Sequence, residues 1–359
     1  MLKNNKRAYL VLADGTVFNG FSMGKVGTTI GEVVFNTCTA SYNDILSDPT
    51  YYGQIVAQTY PLAFNRGVAN IDENSQIMAN GYIAREWCDV GENEKSLDKY
   101  LLERSIVGIF GIDTRRLTRA VRDKGYMKGA ITESLNDFDN LLKQIKSYTI
   151  KGAVEAISIK EPLKIKPENS KYKLCVMDYG FPRKILNAFT SRDCDIIVLP
   201  YSTTSNEILQ YKPDGILLSD GPSDPDDNKT VIENISEMIK LDIPIMGIGL
   251  GHQMLALANG FKIEKMPQGH RGSNQPVRII GTDKFMVTDQ NHGYSVDINS
   301  IEKLVAEPFL TNINDNSVEG LKYKNFSGIS VQFTPNGDKD SSTSWIFDEF
   351  INRMEEAHK

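Results

Sequence analysis

The sequence predicts an α/β protein in two parts: a β-rich N-terminal domain, and a second domain with a mainly parallel sheet that carries helices on both faces. Three observations lead to this prediction. The chain has 359 residues, which is long for one ordinary domain and enough for two with full cores. Its first stretch is rich in strand-forming residues, and its second half alternates short apolar runs with amphipathic segments.

The N-terminal domain begins with a predicted hairpin. The stretch "YLVLADGTVFNG" has two β-branched and aromatic runs joined by Asp14 and Gly15, and "GEVVFNT" from Gly31 continues the strand pattern. Further on, "KEPLKIKPENSK" combines Lys, Pro and Asn without apolar periodicity, which indicates a break between domains. We therefore predict an N-terminal domain over 1–153, a linker over 154–172 and a second domain over 173–359.

The second domain is predicted from strands that alternate with helices. The strands are "KLCVMDYG", "CDIIVLP", "DGILLSDGP", "IPIMGIGLG" and "GISVQFTP". The helices include "PRKILNAFTSR" and "TVIENISEMIKL" between strands and "SWIFDEFINRMEEA" after the last strand. This order is typical of a mainly parallel sheet with helices on both faces. Ligands of such sheets bind beyond the carboxyl ends of the strands. Three strand ends are therefore candidate site segments: 220–223, 247–253 and 334–336.

Composition and charge argue against several classes of function. The chain is 40% hydrophobic and 24% charged, and its net charge of -6 does not favour nucleic acid or an anionic membrane as a partner. The first apolar run, Ala8 to Ala13, is too short for a signal-peptide core, and no run approaches the ~18 residues of a membrane span, so we predict a cytoplasmic protein. The four cysteines show no CxxC spacing, which indicates neither a disulfide framework nor a zinc site: Cys38, Cys88, Cys175 and Cys194.

The most informative stretch is "PIMGIGLGHQMLALANG", which predicts an apolar strand, a glycine-rich turn and the start of a helix. Many α/β enzymes present a catalytic nucleophile at the tip of such a turn. The tip residue here is Gly249, which has no side chain. A nucleotide-binding loop is an alternative, since a helix N-terminus favours phosphate. The third glycine of G-x-G-x-x-G is replaced by His252, however, and a Walker lysine is missing.

Several spaced motifs carry a resemblance to a known family. They are "GEVVFNT", "DILSDPTYYGQIV" and "GIDTRRLTR" in the first domain and "GHRGSNQPV" and "QNHGYSVD" in the second. Over essentially its whole length the chain resembles the small subunit of glutamine-dependent carbamoyl phosphate synthetase, an N-terminal domain followed by a class I glutamine amidotransferase domain. The resemblance implies a glutaminase that forms a heterodimer with a large synthetase subunit and sends it ammonia through an internal tunnel. The product would serve arginine biosynthesis, pyrimidine biosynthesis or a specialised product, and no cofactor or metal is implied.

The family's Cys-His-Glu triad is not found at the matching positions. The resemblance places the nucleophile, the base and the orienting acid at Gly249, Thr334 and Asn336. Glycine carries no nucleophile, and threonine and asparagine have no useful pKa near neutrality. The family's oxyanion loop G-P-G-D-P also differs, because Ser223 replaces its second glycine. We therefore predict a degenerate catalytic site that does not hydrolyse glutamine.

The residues that match the family's glutamine-binding set are largely present. Polar groups among them, such as Gln253 and Asn291, need hydrogen-bond partners if they are buried. The glycines and Leu250 are equally compatible with ordinary turn geometry and packing. The resemblance implies a substrate-binding set of eight residues: Thr50, Gly221, Ser223, Leu250, Gln253, Asn291, Gly293 and Tyr294.

Three functions remain open from the sequence. The first is a structural and regulatory subunit that binds the large subunit and leaves it to use free ammonia. The second is a sensor that binds glutamine or a related amide without cleaving it. The third is a glutaminase with a relocated nucleophile such as Ser223, which has no evident base. The candidate bases are four histidines, of which the last lies near the end of the chain: His252, His270, His292 and His358.

Overall fold

The computed structural model describes residues 6–38, 42–63, 68, 78–88, 95–125, 127–182, 184–222 and 224–357. The chain divides into two compact units, Met1–Lys151 and Gly152–Lys359. The predicted linker segment contributes structure to the second unit, since residues 153–157 form a helix and residues 163–165 form a strand. Within the described residues, no helix is both long and apolar enough to cross a membrane.

The first unit is built around a closed barrel. Its elements are β1 (Arg7–Leu12), β2 (Val17–Gly24), β3 (Thr29–Asn36), α1 (Tyr42–Ser47), β4 (Gln54–Gln58), β5 (Leu62–Ala63), β6 (Gly81–Ala84), β7 (Glu86–Trp87), α2 (Leu97–Glu103), β8 (Val107–Phe110), α3 (Thr114–Lys124), β9 (Met127–Thr132) and α4 (Phe138–Ser147). The barrel strands follow the order β1-β2-β8-β6-β4-β3-β9, and β9 pairs back with β1. The predicted hairpin is confirmed, because β1 and β2 pair antiparallel.

The barrel is filled by alternate residues of its strands. Leu10 and Leu12 of β1 lie in the barrel core, while Val11 between them packs on the outer side. There it meets Leu141 and Ile145, the buried residues of α4. This period of two follows from the pleat of a strand, which points successive side chains to opposite faces.

The second unit is an α/β fold. Its elements are α5 (Ala153–Ile157), β10 (Leu163–Ile165), β11 (Tyr172–Asp178), α6 (Lys184–Thr190), β12 (Cys194–Pro200), α7 (Ser205–Tyr211), β13 (Gly215–Leu218), α8 (Lys229–Met238), β14 (Ile245–Ile248), α9 (Leu250–Ala258), β15 (Ile263–Ile279), β16 (Phe285–Val296), β17 (Ala306–Asn312), β18 (Val318–Tyr323), β19 (Gly328–Val331) and α10 (Trp345–Ala357). They form a 10-stranded sheet of order β10-β12-β11-β13-β14-β19-β18-β17-β15-β16.

The sheet of the second unit has a parallel centre and antiparallel sides. Strands β12, β11, β13, β14 and β19 run parallel, and β15 to β18 join antiparallel. One face packs against α6 and α10 through Phe189, Phe347 and Phe350. The other face packs against α7, α8 and α9 through residues that include Ile208, Ile235 and Met254. The predicted α/β fold class with helices on both faces of the sheet is confirmed, and the sheet is mixed, since four of its nine strand pairs are parallel and five are antiparallel.

Candidate active site

The glycine-rich turn joins β14 to α9 in the predicted strand, turn and helix arrangement. Gly249 lies between them with φ +53° and ψ −112°, a conformation that residues with a Cβ rarely adopt. The helix begins at Leu250 and packs close to the sheet, because a Cβ built at Gly251 would lie 2.2 Å from the carbonyl oxygen of Leu218. The backbone therefore has the geometry of a nucleophile turn at a position with no nucleophilic side chain.

The side chain of Asp220 fills the space beside Gly249. A Cβ built at Gly249 would lie 2.0 Å from Asp220 Oδ1 and 2.5 Å from Oδ2, far inside van der Waals contact. Asp220 follows β13, the strand next to β14, and it is 8% exposed. Residues 220–223 were predicted from the sequence to be a strand end near the site, but no role was predicted for Asp220. The signal that could have pointed to Asp220 was an acidic residue at the carboxyl end of a buried strand.

Two backbone N–H groups converge on the same oxygen of Asp220. The N–H of Leu250 donates to Oδ1 at 3.0 Å, and the N–H of Gly221 donates to it at 2.8 Å. In nucleophile turns, the N–H of the residue after the nucleophile and an N–H from another loop stabilise the oxyanion. The Oδ1 atom of Asp220 thus lies where such a pair of donors would hold a substrate oxygen.

Thr334 also contacts Asp220, whereas the side chain of Asn336 points elsewhere. The hydroxyl of Thr334 donates to Asp220 Oδ2 at 3.3 Å, and the Thr334 N–H donates to the Asp289 carbonyl at 3.2 Å. Asn336 is exposed, and its Oδ1 accepts the N–H of Asp338 at 3.0 Å. The structure therefore brings Gly249 and Thr334 to one carboxylate, while the side chain of Asn336 caps a surface turn.

The polar residues predicted to bind substrate are engaged with the protein. Gln253 is buried, and its Nε2 donates to Gln332 Oε1 at 3.0 Å and to the carbonyl of Tyr294 at 3.1 Å. The hydroxyl of Tyr294 donates to Asp224 Oδ2 at 2.7 Å. These contacts connect α9, the loop after β13 and β16 on one side of the Gly249 turn.

The remaining members of the predicted binding set lie on β16, in the first unit or outside the described residues. On β16, Asn291 pairs with Arg271 of β15, and a Cβ built at Gly293 would lie 3.1 Å from Arg271 Nη2. Arg271 is a neighbour of this set that the sequence did not single out. Thr50 belongs to the first unit, where its hydroxyl donates to Asp48 Oδ1 at 2.7 Å. Ser223 lies outside the described residues.

Two buried histidines of the second unit, His252 and His292, are held neutral by their surroundings. Burial lowers the pKa of His252 to about 3, and its Nδ1 lies 2.7 Å from Ser330 Oγ. Burial, together with the nearby positive charge of His270, holds the pKa of His292 well below its usual range. His358 lies outside the described residues. Neither His252 nor His292 has the near-neutral pKa that suits a general base.

His270 has the opposite shift because it lies between two carboxylates. Burial opposes its protonation, but hydrogen bonds to Asp315 and Glu319 outweigh that effect and raise its pKa to about 9. The ligand atoms of His270, His292 and Glu319 lie within 4.8 Å of one another, a spacing that could hold a metal ion. His270 Nε2 is already 2.9 Å from Asp315 Oδ2, so the cluster is accounted for by a protonated histidine between acids.

The cysteines of the second unit are poor nucleophiles. Cys175 and Cys194 lie in β11 and β12, and burial raises the pKa of each thiol to about 12. Thiolate is the reactive form, so thiols of this kind are largely inert. In the first unit, Cys38 is buried and Cys88 is partly exposed. Cys175 and Cys194 are therefore buried thiols of the sheet core.

Two family models match the chain, one in each unit. Residues 10–131 match the carbamoyl-phosphate synthase small chain, CPSase domain, and residues 175–353 match glutamine amidotransferase class-I. The chain is 41% identical over 358 residues to the carbamoyl phosphate synthase small chain of Bacillus anthracis, covering 98% of this chain and 96% of the relative. It is 42% identical to the carbamoyl phosphate synthase pyrimidine-specific small chain of Bacillus subtilis with the same coverage. The carbamoyl phosphate synthase small chain of Fusobacterium nucleatum is 41% identical, covering 98% and 99%.

Proposed function

The chain belongs to the carbamoyl-phosphate synthase small chain family, and on this premise we propose that it is a small chain that does not hydrolyse glutamine. In this role it binds a large synthetase subunit, and the complex makes carbamoyl phosphate from free ammonia. The observation that carries the proposal is the nucleophile turn: its backbone is formed, but its tip is Gly249 and the space beside that tip is filled by Asp220.

The chemistry of amide hydrolysis supports the first part of the proposal. The reaction needs a nucleophile, a base that takes and returns its proton, and a group that orients the base. Gly249 supplies no nucleophile, Thr334 supplies no base, and the Asn336 side chain is bound to a surface turn. By analogy with a serine protease, loss of the whole unit costs on the order of 10⁶ in turnover.

A relocated active site has little support among the described residues. A new nucleophile would have to be paired with a base of suitable pKa. Burial sets the pKa of His252 near 3 and that of Cys175 near 12, which removes both as partners at neutral pH. His270 is protonated between its two acids. The sensor function has less support than the partner function, since the Gln253 amide is already bound by Gln332 and Tyr294.

The partnership rests on the first unit. The names of the relatives describe a small chain of carbamoyl phosphate synthase, and the match to the CPSase domain covers residues 10–131. That unit has its own closed barrel and core, apart from the degenerate site. A chain kept only for glutamine hydrolysis would have no use for this unit once the triad was lost, whereas a chain that binds a large subunit needs a folded surface.

The test is a paired assay on the complex. A carbamoyl phosphate synthetase large subunit is co-purified with this chain, and product is measured with ammonium and with glutamine as nitrogen donor. We expect synthesis from ammonium, bicarbonate and ATP, and no synthesis from glutamine above that of the large subunit alone. Glutamine-dependent synthesis that a thiol reagent abolishes would contradict the absence of glutaminase activity, and failure to co-purify would contradict the partnership.

A further inference from the structure

We propose that Asp220 is a built-in ligand of the degenerate site: its carboxylate occupies the oxyanion position and keeps a substrate amide out. This inference deepens the proposed function, because it names what fills the same site. It rests on the contacts of one side chain with the turn around Gly249.

The first argument is the geometry of the donors. Preorganised donors hold an oxyanion at 2.7–3.1 Å. The N–H groups of Gly221 and Leu250 lie 2.8 and 3.0 Å from the same atom, Asp220 Oδ1. Two donors that converge on one oxygen form a site for a single anionic or carbonyl oxygen, and Asp220 supplies that oxygen from within the chain.

The second argument is charge. Asp220 is almost fully buried, at 8% exposed, and a buried carboxylate needs charge-assisted hydrogen bonds to offset its loss of water. Leu250 is the first residue of α9, so its N–H lies at the positive end of the helix dipole. The hydroxyl of Thr334 donates to the second oxygen, Oδ2. All three donors favour an anion in this position.

The third argument is space. A side chain at position 249 and the carboxylate of Asp220 in its observed position cannot coexist, because a Cβ there would lie 2.0 Å from Oδ1. The carboxylate therefore uses the volume that the missing side chain leaves, together with the place of a substrate oxygen. A glutamine amide that approached this turn would meet a filled donor pair and a negative charge.

The test uses formate, the smallest carboxylate, as a probe of the vacated site. In Asp220→Ala the donors of Gly221 and Leu250 are free to bind it. We expect formate to raise the Tm of this variant by about 2–4 °C at concentrations above its Kd, relative to chloride of the same ionic strength. In wild type and in Asp220→Asn, a side chain still fills the space beside the Gly221 and Leu250 donors, so formate should not raise the Tm. Thr334→Val keeps Asp220 and should behave as wild type. If Asp220→Ala does not fold, Asp220→Ser carries the same test.

Formate stabilisation that is equal in all four chains, or absent from the Asp220→Ala and Asp220→Ser variants, would overturn the proposal.

Calorimetry at about 10 mM glutamine, a concentration high enough to detect weak binding, tests directly whether Asp220 keeps glutamine out of the site. We expect heat of binding with Asp220→Ala and none with wild type. Equal affinity in both, or no heat in either, would show that Asp220 does not close the site. Neither measurement involves the large subunit, so failure here is distinct from failure of the proposed partnership.

Discussion

His270 Nδ1 lies 3.4 Å from Glu319 Oε1, inside a second unit where the Glu319 side chain is fully buried. The same imidazole bonds Asp315 on its other side, so one protonated ring is shared by two acids. Burial raises the pKa of Glu319 and the negative charge of Asp315 adds to that rise, while the nearby His270 partly offsets it. The pair is therefore a buried contact whose strength depends on the proton of His270.

We expect His270→Gln to destabilise the protein by about 3–5 kcal/mol near neutral pH, because it leaves a buried carboxylate without its cation. The folded pKa of His270 is raised to about 9, so its stabilisation is fully present below the unfolded pKa of about 6.5 and is lost as pH rises through 9. Urea unfolding at pH 6, 8 and 10 should show the gap between wild type and variant closing. Asp315→Asn is the control. It removes one of the acids that raise the pKa of His270, so the stabilisation by His270 should be lost at lower pH than in wild type. A gap that is constant with pH would contradict this assignment.

His252 should lower the stability of the protein as the pH falls, whereas the stabilisation by His270 is lost as the pH rises. Burial lowers the folded pKa of His252 to about 3, so between pH 6.5 and 3 the unfolded chain takes up a proton that the folded chain does not. From these values, this one group costs about 2 kcal/mol of stability between pH 7 and pH 5. In His252→Gln, which does not titrate, urea unfolding should show a shallower fall over this range. An equally steep fall would mean that His252 is protonated in the folded protein.

The local parts of the fold could be predicted from the sequence. Asp14 and Gly15 are adjacent, and Gly15 adopts φ +87° between β1 and β2, so the hairpin follows from neighbouring residues. The closure of the barrel could not be predicted, because Tyr9 pairs with Thr132 far along the chain. The long β15 to β16 ribbon was missed for another reason. Much of β15 is exposed, so it lacks the apolar alternation that indicates a strand.

The candidate site was predictable up to the point where sheet order decides which residues meet. Gly249 was found because strand, turn and helix are contiguous in the sequence. Asp220 was missed because its contacts depend on the parallel neighbours β13, β14 and β19, whose ends bring residues 220, 249 and 334 to one edge. No local pattern gives that order of strands. Gln253 was found as a polar group that needs partners, but its partners, Gln332 and Tyr294, come from other elements.

The reactivity of the thiols should follow their burial. The pKa of about 12 for Cys175 and Cys194 leaves about 10⁻⁴ of each thiol ionised at pH 8, roughly 10³-fold less than an ordinary cysteine. Iodoacetamide labelling of the native protein, followed by peptide mass spectrometry, should modify the partly exposed Cys88 first. In urea all four cysteines should react at similar rates, which is the control. Rapid native labelling of Cys175 would contradict the buried position of β11.

A double-mutant cycle should measure the steric conflict between the Asp220 side chain and a side chain at position 249. Gly249→Ala in the wild type meets both the strain of φ +53° and the overlap with Asp220, and we expect it to cost about 2–5 kcal/mol. In an Asp220→Ala background only the strain remains, so the coupling should be about 1–3 kcal/mol. Gly251→Ala is the matched control. Its Cβ would meet the Leu218 backbone, which Asp220→Ala does not remove, so its coupling should be near zero. Equal coupling at both glycines would contradict the contact.

Restoring the catalytic residues should fail while Asp220 remains. We expect Gly249→Cys, Thr334→His and Asn336→Glu together to give little glutaminase activity, because the new thiol would collide with Asp220 and the donors of Gly221 and Leu250 would stay occupied. Loss of a single oxyanion donor already costs about 10² to 10³ in kcat. Adding Asp220→Ala to the triple variant should therefore give the larger step, measured as glutamate released from glutamine. Asp220→Ala alone is the control and should remain inactive, since Gly249 has no nucleophile. If the triple variant matched the quadruple one, Asp220 would not be what blocks the oxyanion position, and an obstacle at Ser223 would become the next to test.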